Sequence, residues 1–263
     1  MNKISFIGVG NLASAMLKGV VESGLAEPEN IIIFDIDKSK TVALNVQYGV
    51  NVASSAVEAA AAGDVSVVAV KPKDIDGVLG EISSGASFVI STAAGVELSS
   101  LKANLRDDCA VARIMPNINA SVGKAMTAYC VSPETSAEQI SFLNDFCQSF
   151  GNCISLEENY FPVFTAVAGS APAFVYEFIN DLAFGAVKNG LPKSTALEIA
   201  AQTVLGSAQM IIESGVHPCE LTDRVCSPAG TTVEGVAALR EFGFDNAVIK
   251  AVDYTVNKDK KLK

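Results

Sequence analysis

The sequence predicts an α/β fold in its first half, a parallel sheet with helices between the strands, joined to an all-helical second half. Short apolar runs alternate with helical patterns from Ile4 to Met115, the rhythm of strand, crossover and strand. The first run breaks at Gly8-Val9-Gly10 and opens directly into a helix. From Glu157 onward strand-like alternation is absent, and long apolar helical patterns are punctuated by Gly and Pro. These observations divide the chain into residues 1–155 and residues 156–263.

Taken in order, Ile4-Ser5-Phe6-Ile7 is a strand and Gly8-Val9-Gly10-Asn11-Leu12-Ala13 the turn that enters a helix running to about Val21, stopped by Gly24. In a βα unit of this form Gly8 allows the turn, Gly10 lets the backbone approach a pyrophosphate, and small Ala13 packs the helix on the strand. Phosphates then sit at the helix N-terminus, where unpaired N–H groups and the dipole favour an anion. An ordinary tight turn is the alternative, but Ile31-Ile32-Ile33-Phe34 follows as a buried strand and ends at Asp35, a carboxylate at the distance that serves a ribose. The motif therefore predicts a Rossmann-type dinucleotide-binding domain. Lys38 to Tyr48 is a helix closed by Gly49. Asp64 to Val70 is a strand stopped by Lys71-Pro72, because proline biases its predecessor away from helix. Ser87 to Ser91 and Val111 to Met115 complete the strands. Right-handed crossovers place ligands outside the carboxyl ends, so Gly8, Asp35, Lys71, Ala93 and Met115 are expected to line one crevice.

In the second half Phe161 to Val187 is apolar, with Glu177 and Asp181 one turn apart and Pro172 as a kink or a start. Ser194 to Ser214 is the next helix, with Ser194 as its cap and Gly215 as its end. Val216 to Arg224, Thr231 to Phe242 and Asp245 to Tyr254 follow. So much aliphatic surface in so small a domain predicts burial by another subunit, a homodimer at least.

Composition narrows the function. Of 263 residues, 49% are hydrophobic and 18% charged, which supplies a large core. A net charge of −10 opposes a nucleic-acid footprint, which needs a basic face. Four lysines between Lys258 and Lys263 are read as a solvated helix end. Six cysteines without a CxxC pair and a start that lacks signal-peptide form predict reduced thiols in a cytoplasmic protein. With His217 the lone histidine, no metal site is expected. No run of 18 uninterrupted apolar residues occurs, so no membrane partner is expected.

Val225-Cys226-Ser227-Pro228-Ala229-Gly230-Thr231-Thr232 puts Pro, Gly and two threonines just before a helix. Backbone N–H groups near Gly230 and Thr231, with the two hydroxyls, form a nest for a small carboxylate. The alternative is a helix capped by Thr231 or Thr232 with Glu234 in support.

These residues resemble the pyrroline-5-carboxylate reductases of proline biosynthesis over nearly the whole chain. The resemblance rests on Ile7-Gly8-Val9-Gly10-Asn11-Leu12-Ala13, Ala69-Val70-Lys71-Pro72, Ala93-Ala94-Gly95-Val96, Arg113-Ile114-Met115-Pro116-Asn117, Gly169-Ser170-Ala171-Pro172-Ala173 and His217-Pro218 through Ser227 to Thr232. It implies a reductase that converts 1-pyrroline-5-carboxylate to L-proline with NAD(P)H, an all-helical dimerisation domain, and dimers that assemble further into decamers. It implies cofactor contacts at Ile7, Gly8, Val9, Gly10, Asn11, Leu12, Asp35, Ala69, Val70, Lys71, Pro72, Ala93, Ala94 and Gly95. The Asp35 carboxylate, placed to accept both ribose hydroxyls, slightly favours NADH, against Lys38, Ser39 and Lys40, which can wrap a 2′-phosphate, and against the family's frequent use of NADPH. Substrate falls to Ser227, Gly230, Thr231 and Thr232, with the Thr231 hydroxyl as the catalytic group on the ring nitrogen and the partner subunit supplying this segment. Lys71 is read as a strand-end cation near phosphate or solvent rather than a catalytic acid. Ala171 and Ala229 stand where the family usually has glycine, Ile118-Asn119 replaces its Thr-Pro, and a family asparagine near the adenosine ribose falls near Ala56. A Cβ at Ala229 is tolerable only at negative φ. The alternatives are a β-hydroxyacid-dehydrogenase-like oxidoreductase, which needs a lysine that Gly169 to Asn180 lacks, and a non-catalytic dinucleotide-sensing paralogue.

Overall fold

The structure, a computed structural model, describes residues 3–261. Strand β1 (Ile4–Ile7) enters α1 (Asn11–Ser23), followed by β2 (Ile31–Phe34), α2 (Lys38–Tyr48), β3 (Asn51–Val52), α3 (Ala56–Ala62), β4 (Val65–Val68), α4 (Ile75–Ile82), β5 (Phe88–Ser91), α5 (Leu98–Ala103) and β6 (Ala110–Met115). Then come β7 (Ala125–Val131), α6 (Ala137–Gln148), β8 (Gly151–Ser155) and the helices α7 (Phe161–Phe164), α8 (Ala171–Lys188), α9 (Lys193–Ser214), α10 (Pro218–Val225), α11 (Thr231–Glu241) and α12 (Phe244–Asp259). Gly24 and Gly49 close α1 and α2 at φ 71 and φ 76, the left-handed cap that glycine adopts without a Cβ penalty. The Asp37 carboxylate starts α2 by accepting from the Ser39 N–H. A reciprocal Ser136 and Gln139 capping box starts α6.

The sheet order is β3-β2-β1-β4-β5-β6-β7-β8, so its direction of winding switches between β1 and β4. All neighbouring pairs are parallel except β6 with β7. The strands read from the sequence, β1, β2, β4, β5 and β6, pair parallel throughout, and the antiparallel pair comes with β7, which that reading did not include. After Met115 the chain takes only a 3₁₀ turn, Ile118–Val122, with Gly123 at φ 66, and a connection that short returns a strand antiparallel. Three strands escaped the sequence pattern. The first, β3, has two residues; β7 is mostly small side chains; and β8 is a partly exposed edge.

Packing divides the chain into two compact units, one running to Gly169 with the residues from Val256, and one from Ser170 to Thr255. In the first, one face of the sheet packs Phe6, Met16, Leu17, Phe142, Phe146 and Phe150. Phe146 is the hub, with ring centroids 6.2, 6.3 and 5.3 Å from Phe6, Phe142 and Phe150. The other face packs Val68, Ile75, Leu79, Ile82 and Leu101. The chain remains in this unit past residue 155 because Phe161 is buried under the Arg113 guanidinium, 4.4 Å from its ring centroid, and Ala166 and Ala168 are buried as well.

The second unit has a core of only Ala183, Ala196 and Ala200, with Ile179 and Val187 packed against it. Phe184, Leu197, Leu205, Met210, Ile212 and Ile249 are exposed. Pro172 begins α8 rather than kinking it, after a π-helical turn at Thr165–Ser170. The expected cap Ser194 lies inside α9, whose N-cap is extended Pro192, φ −61. The run Glu158–Lys188 is long and apolar enough to cross a bilayer by length and composition, at mean hydropathy 1.3. It exposes Glu177 and Asp181 one turn apart, a costly face to present to lipid. The basic tail read from the sequence ends in Leu262 and Lys263, which lie outside the described residues.

Candidate active site

A crevice of about 630 Å³ opens at the carboxyl ends of β1, β2 and β4. It brings together Ile7, Gly8, Gly10, Asp35, Ala69, Val70 and Lys71 from the residues expected to hold a cofactor. Gly8 sits at φ +88, and a Cβ there would lie 2.8 Å from the Ala69 carbonyl oxygen, so no other residue fits. Gly10 is the N-cap of α1, and a Cβ built on it meets nothing within 4 Å. The space beside Gly10 at the N-terminus of α1 is therefore open, as the approach of a pyrophosphate requires. This cradle, too tight for a Cβ at Gly8 and open above Gly10, fits a dinucleotide. Val9, Asn11, Leu12 and Pro72 belong to the same turns without lining the crevice, and Ile36, Asp37, Lys40, Lys73 and Asp74 line it without having been expected. The lining of this crevice comes from the ends of β1, β2 and β4, while Ala93 and Met115 are not part of it.

Asp35 does more than end a strand. Its Oδ2 accepts from the Val9 N–H at 2.8 Å and its Oδ1 from the Asp37 N–H at 2.8 Å, which ties the glycine turn to the β2–α2 loop. Both oxygens keep a second lone-pair site for a ligand. Lys40 Nζ stands 3.9 Å from Asp35 Oδ1 and 3.9 Å from Asp37 Oδ2. Ser39 gives both its hydroxyl and its N–H to Asp37, bonds that hold the Asp37 carboxyl below its ordinary value, with Lys40 assisting.

Ala93, Ala94 and Gly95 form the loop after β5. The Ala93 N–H donates to Ser91 Oγ at 3.3 Å, and Gly95 turns the chain at φ 75. Just beyond, the Leu98 N–H donates to Glu158 Oε1 at 2.7 Å, and that same oxygen accepts from Arg113 at 2.6 Å. Glu158 thus joins the loop to β6 across a large sequence separation, and no local pattern signals it. The Asn117 amide donates to the Ala168 carbonyl at 2.9 Å and holds the π-helical turn, a geometry that recurs at functional sites.

In the helical unit, Ser227 to Gly230 closes as a turn with the Gly230 N–H donating to the Ser227 carbonyl at 3.0 Å. Pro228 holds the first corner and Ala229 the second at φ 56, the one non-glycine residue at positive φ among the described residues. That is a type II arrangement, whose second corner normally takes glycine. The negative φ required of Ala229 is therefore not met, and the alanine is strained. A Cβ on Gly230 would collide with Ser227 Oγ. Gly230 is the N-cap of α11 and makes no side-chain cap bond, so the capped-helix alternative built on Thr231 or Thr232 is corrected. Because the turn consumes the Gly230 N–H, the open donors are those of Thr231, Thr232 and Val233. Ser227 and Thr231 are exposed and Thr232 is half-buried, so both threonine hydroxyls stand beside these donors. The one histidine, His217, caps α10 by accepting from the Cys219 N–H at Nδ1.

Comparison with known proteins agrees over both units. The family described as pyrroline-5-carboxylate reductase dimerisation matches residues 158–262, and that described as NADP oxidoreductase coenzyme F420-dependent matches residues 3–95. The pyrroline-5-carboxylate reductase of Escherichia coli is 42% identical over 267 residues, covering 99% of this chain and 98% of that protein. The solved pyrroline-5-carboxylate reductase of Coxiella burnetii superposes with a TM-score of 0.94 at 30% identity, covering 100% of this chain and 98% of that one. The Plasmodium falciparum pyrroline carboxylate reductase with NADP bound gives 0.87 at 29% identity, with 99% and 97% covered.

Proposed function

The chain belongs to the pyrroline-5-carboxylate reductase family and reduces 1-pyrroline-5-carboxylate to L-proline with NAD(P)H, and from that premise we propose which of its residues do the work. The reaction adds a hydride to the ring carbon of a C=N bond and a proton to its nitrogen. Since the protonated imine is already electrophilic, the protein's task is to orient it. The nicotinamide supplies the hydride when bound.

We assign the nucleotide to the crevice, with Ile7 to Leu12 around the pyrophosphate, Asp35 at the adenosine ribose, and Ala69 to Pro72 and Ala93 to Gly95 toward the nicotinamide. The substrate carboxylate goes to the uncapped start of α11. The open N–H groups of Thr231 and Thr232 hold it, Gly230 keeps that approach free of a Cβ, and the Ser227 hydroxyl borders it. The Thr231 hydroxyl bonds the ring nitrogen, which makes it the catalytic contact. The observation that supports this most is the turn that commits Gly230 and leaves the next donors open without any side-chain cap. Steady-state oxidation of NADH or NADPH at the nicotinamide absorbance band, with 1-pyrroline-5-carboxylate added, tests it when repeated on Thr231→Ala. Unchanged kcat/KM in that variant would remove the assignment while leaving the family's reaction in place.

We further propose that NADH serves at least as well as NADPH, that the chain is a homodimer in which each subunit lends Ser227–Thr232 to the other, and that dimers build decamers. The dimer rests on the match to a dimerisation family and on the exposed aliphatic faces of α8 and α9. The domain boundary at 155/156 is kept as the functional division, supported by the family match that begins at residue 158. Cytoplasmic residence is supported by free cysteines at all six positions, which a reducing compartment maintains.

A further inference from the structure

The loop over residues 92–97 stands beside the nucleotide crevice. It leaves β5, which pairs parallel with β4, and the end of β4 supplies Ala69, Val70 and Lys71 to the crevice lining. The Thr92 N–H donates across that pair to the Val68 carbonyl at 3.1 Å. Ala93 is buried, whereas Ala94 and Gly95 are exposed. Inside the loop the Val96 N–H reaches the Ala93 carbonyl only at 3.5 Å, and a Cβ built on Gly95 meets nothing within 4 Å. The loop's own contacts therefore hold its shape weakly.

Its far end is held from 60 residues away. The Leu98 N–H donates to Glu158 Oε1 at 2.7 Å, and Arg113 donates to the same oxygen at 2.6 Å. Arg113 is itself immobilised, with its side chain 6% exposed and its guanidinium 4.4 Å from the ring centroid of buried Phe161. The segment that carries Glu158 is fixed as well, since the Leu156 N–H donates to the Tyr129 carbonyl of β7 at 2.9 Å. One oxygen thus passes the rigidity of β6 and β7 to the loop. Both bonds to it are short and charge-assisted, about twice as strong as neutral ones.

On the reading that residues 93–95 face the nicotinamide, on which this rests, we propose that Glu158 is a positioning residue for hydride transfer. By fixing the Leu98 end of the loop it sets the distance from the nicotinamide to the imine carbon. It acts through the loop backbone and touches neither reactant. The adenosine half of the cofactor is assigned to the Gly8 turn and Asp35, so a loosened loop disturbs the reacting end and spares the other. A misplacement of about 1 Å at a reacting centre can slow the chemical step about 10²-fold.

Single turnovers test this, with enzyme in excess over NADH and 1-pyrroline-5-carboxylate saturating. The rate constant for loss of the nicotinamide absorbance then reports folded, loaded sites only, and an unfolded fraction does not move it. Glu158→Asp keeps the charge for Arg113 but is one methylene too short to reach both donors. Its rate constant should fall roughly 10- to 100-fold, while its affinity for ADP-ribose, the cofactor without nicotinamide, stays at the wild-type value. Glu158→Ala should be at least as slow. Glu158→Gln keeps the length and a carbonyl oxygen that both donors can share, so it should restore most of the rate. A wild-type rate constant in Glu158→Asp, or Glu158→Gln slower than Glu158→Asp, would overturn the positioning role. Gly95→Ala, strained at φ 75, displaces the loop directly and should also be slow. If it is slow while the Glu158 variants are normal, the role of Glu158 alone fails. If all of them are normal, the placement of the nicotinamide at this loop fails, and the role of Glu158 with it.

Discussion

Thr231 is exposed beside the open donors of α11, and its hydroxyl makes no cap bond, so the side chain is free to serve a ligand. Thr231→Ala keeps the backbone donor and removes the hydroxyl. A hydrogen bond to a charged partner contributes about 1.5 to 3 kcal/mol, so kcat/KM should fall roughly 10- to 200-fold with melting temperature unchanged. Thr232→Ala should leave stability unchanged as well, because no cap is lost. Two residues earlier, Ala229 holds φ 56 with a Cβ. Relief of that strain is worth about 1 to 2 kcal/mol and outweighs the roughly 0.4 to 1 kcal/mol that glycine loses through unfolded-state entropy. Ala229→Gly should therefore raise the denaturant midpoint, and a lowered midpoint would show that the left-handed alanine carries no strain. At the other ligand site, a 2′-phosphate about 4 Å from the Asp35 carboxylate meets a repulsion of roughly 1 to 4 kcal/mol, about fivefold to a thousandfold in affinity. Lys40 offsets part of this, but it already stands between Asp35 and Asp37, and Ser39 is committed to Asp37. We expect kcat/KM for NADH to equal or exceed that for NADPH. A preference for NADPH by more than about tenfold would mean that Lys38 and Lys40 outweigh the carboxylates.

Between elements, the joint most exposed to a single change is the one Glu158 makes. It accepts from the Leu98 N–H and from Arg113, whose side chain is 6% exposed and stacked on Phe161. Glu158→Ala strands a buried guanidinium and frees the start of α5. Breaking a buried pair in this way costs about 3 to 5 kcal/mol, so the variant should show a large drop in denaturant midpoint. Glu158→Gln, which keeps a neutral acceptor for Leu98, should lose less. If the two variants match wild type, the pair is dispensable and another contact holds the loop. Phe146→Ala removes the hub of the aromatic cluster on the other face of the sheet and should cost a similar 3 to 5 kcal/mol.

For the whole molecule, the helical unit on its own buries little more than three alanines while leaving Phe184, Leu205, Met210 and Ile212 exposed. Apolar faces on that scale mark an interface, and we expect light scattering at micromolar protein to give the mass of a dimer or a multiple of it. A stable, fully active monomer at nanomolar concentration would contradict both the dimer and the lending of Ser227–Thr232 between subunits. Replacing Ile212, 80% exposed on α9, with glutamate should shift the assembly toward monomer without unfolding the nucleotide-binding unit.

What the sequence determined by itself was whatever local chemistry specifies. The glycine turn, the continuous apolar runs of β1, β2, β4 and β5, the glycine stops of α1, α2 and α9, and the Ser227–Thr232 segment each carry their signal within a few residues, because backbone conformation and strand burial are set there. The tertiary structure alone decided the rest. That β7 runs antiparallel depends on a short 3₁₀ connection, and that β8 is a strand depends on a neighbour to pair with. Asp35 reaches Val9, and Glu158 finds Arg113, only once the sheet has brought distant segments together. The contacts of Asp35 with Val9 and of Glu158 with Arg113 are non-local, and no spacing within the chain encodes them.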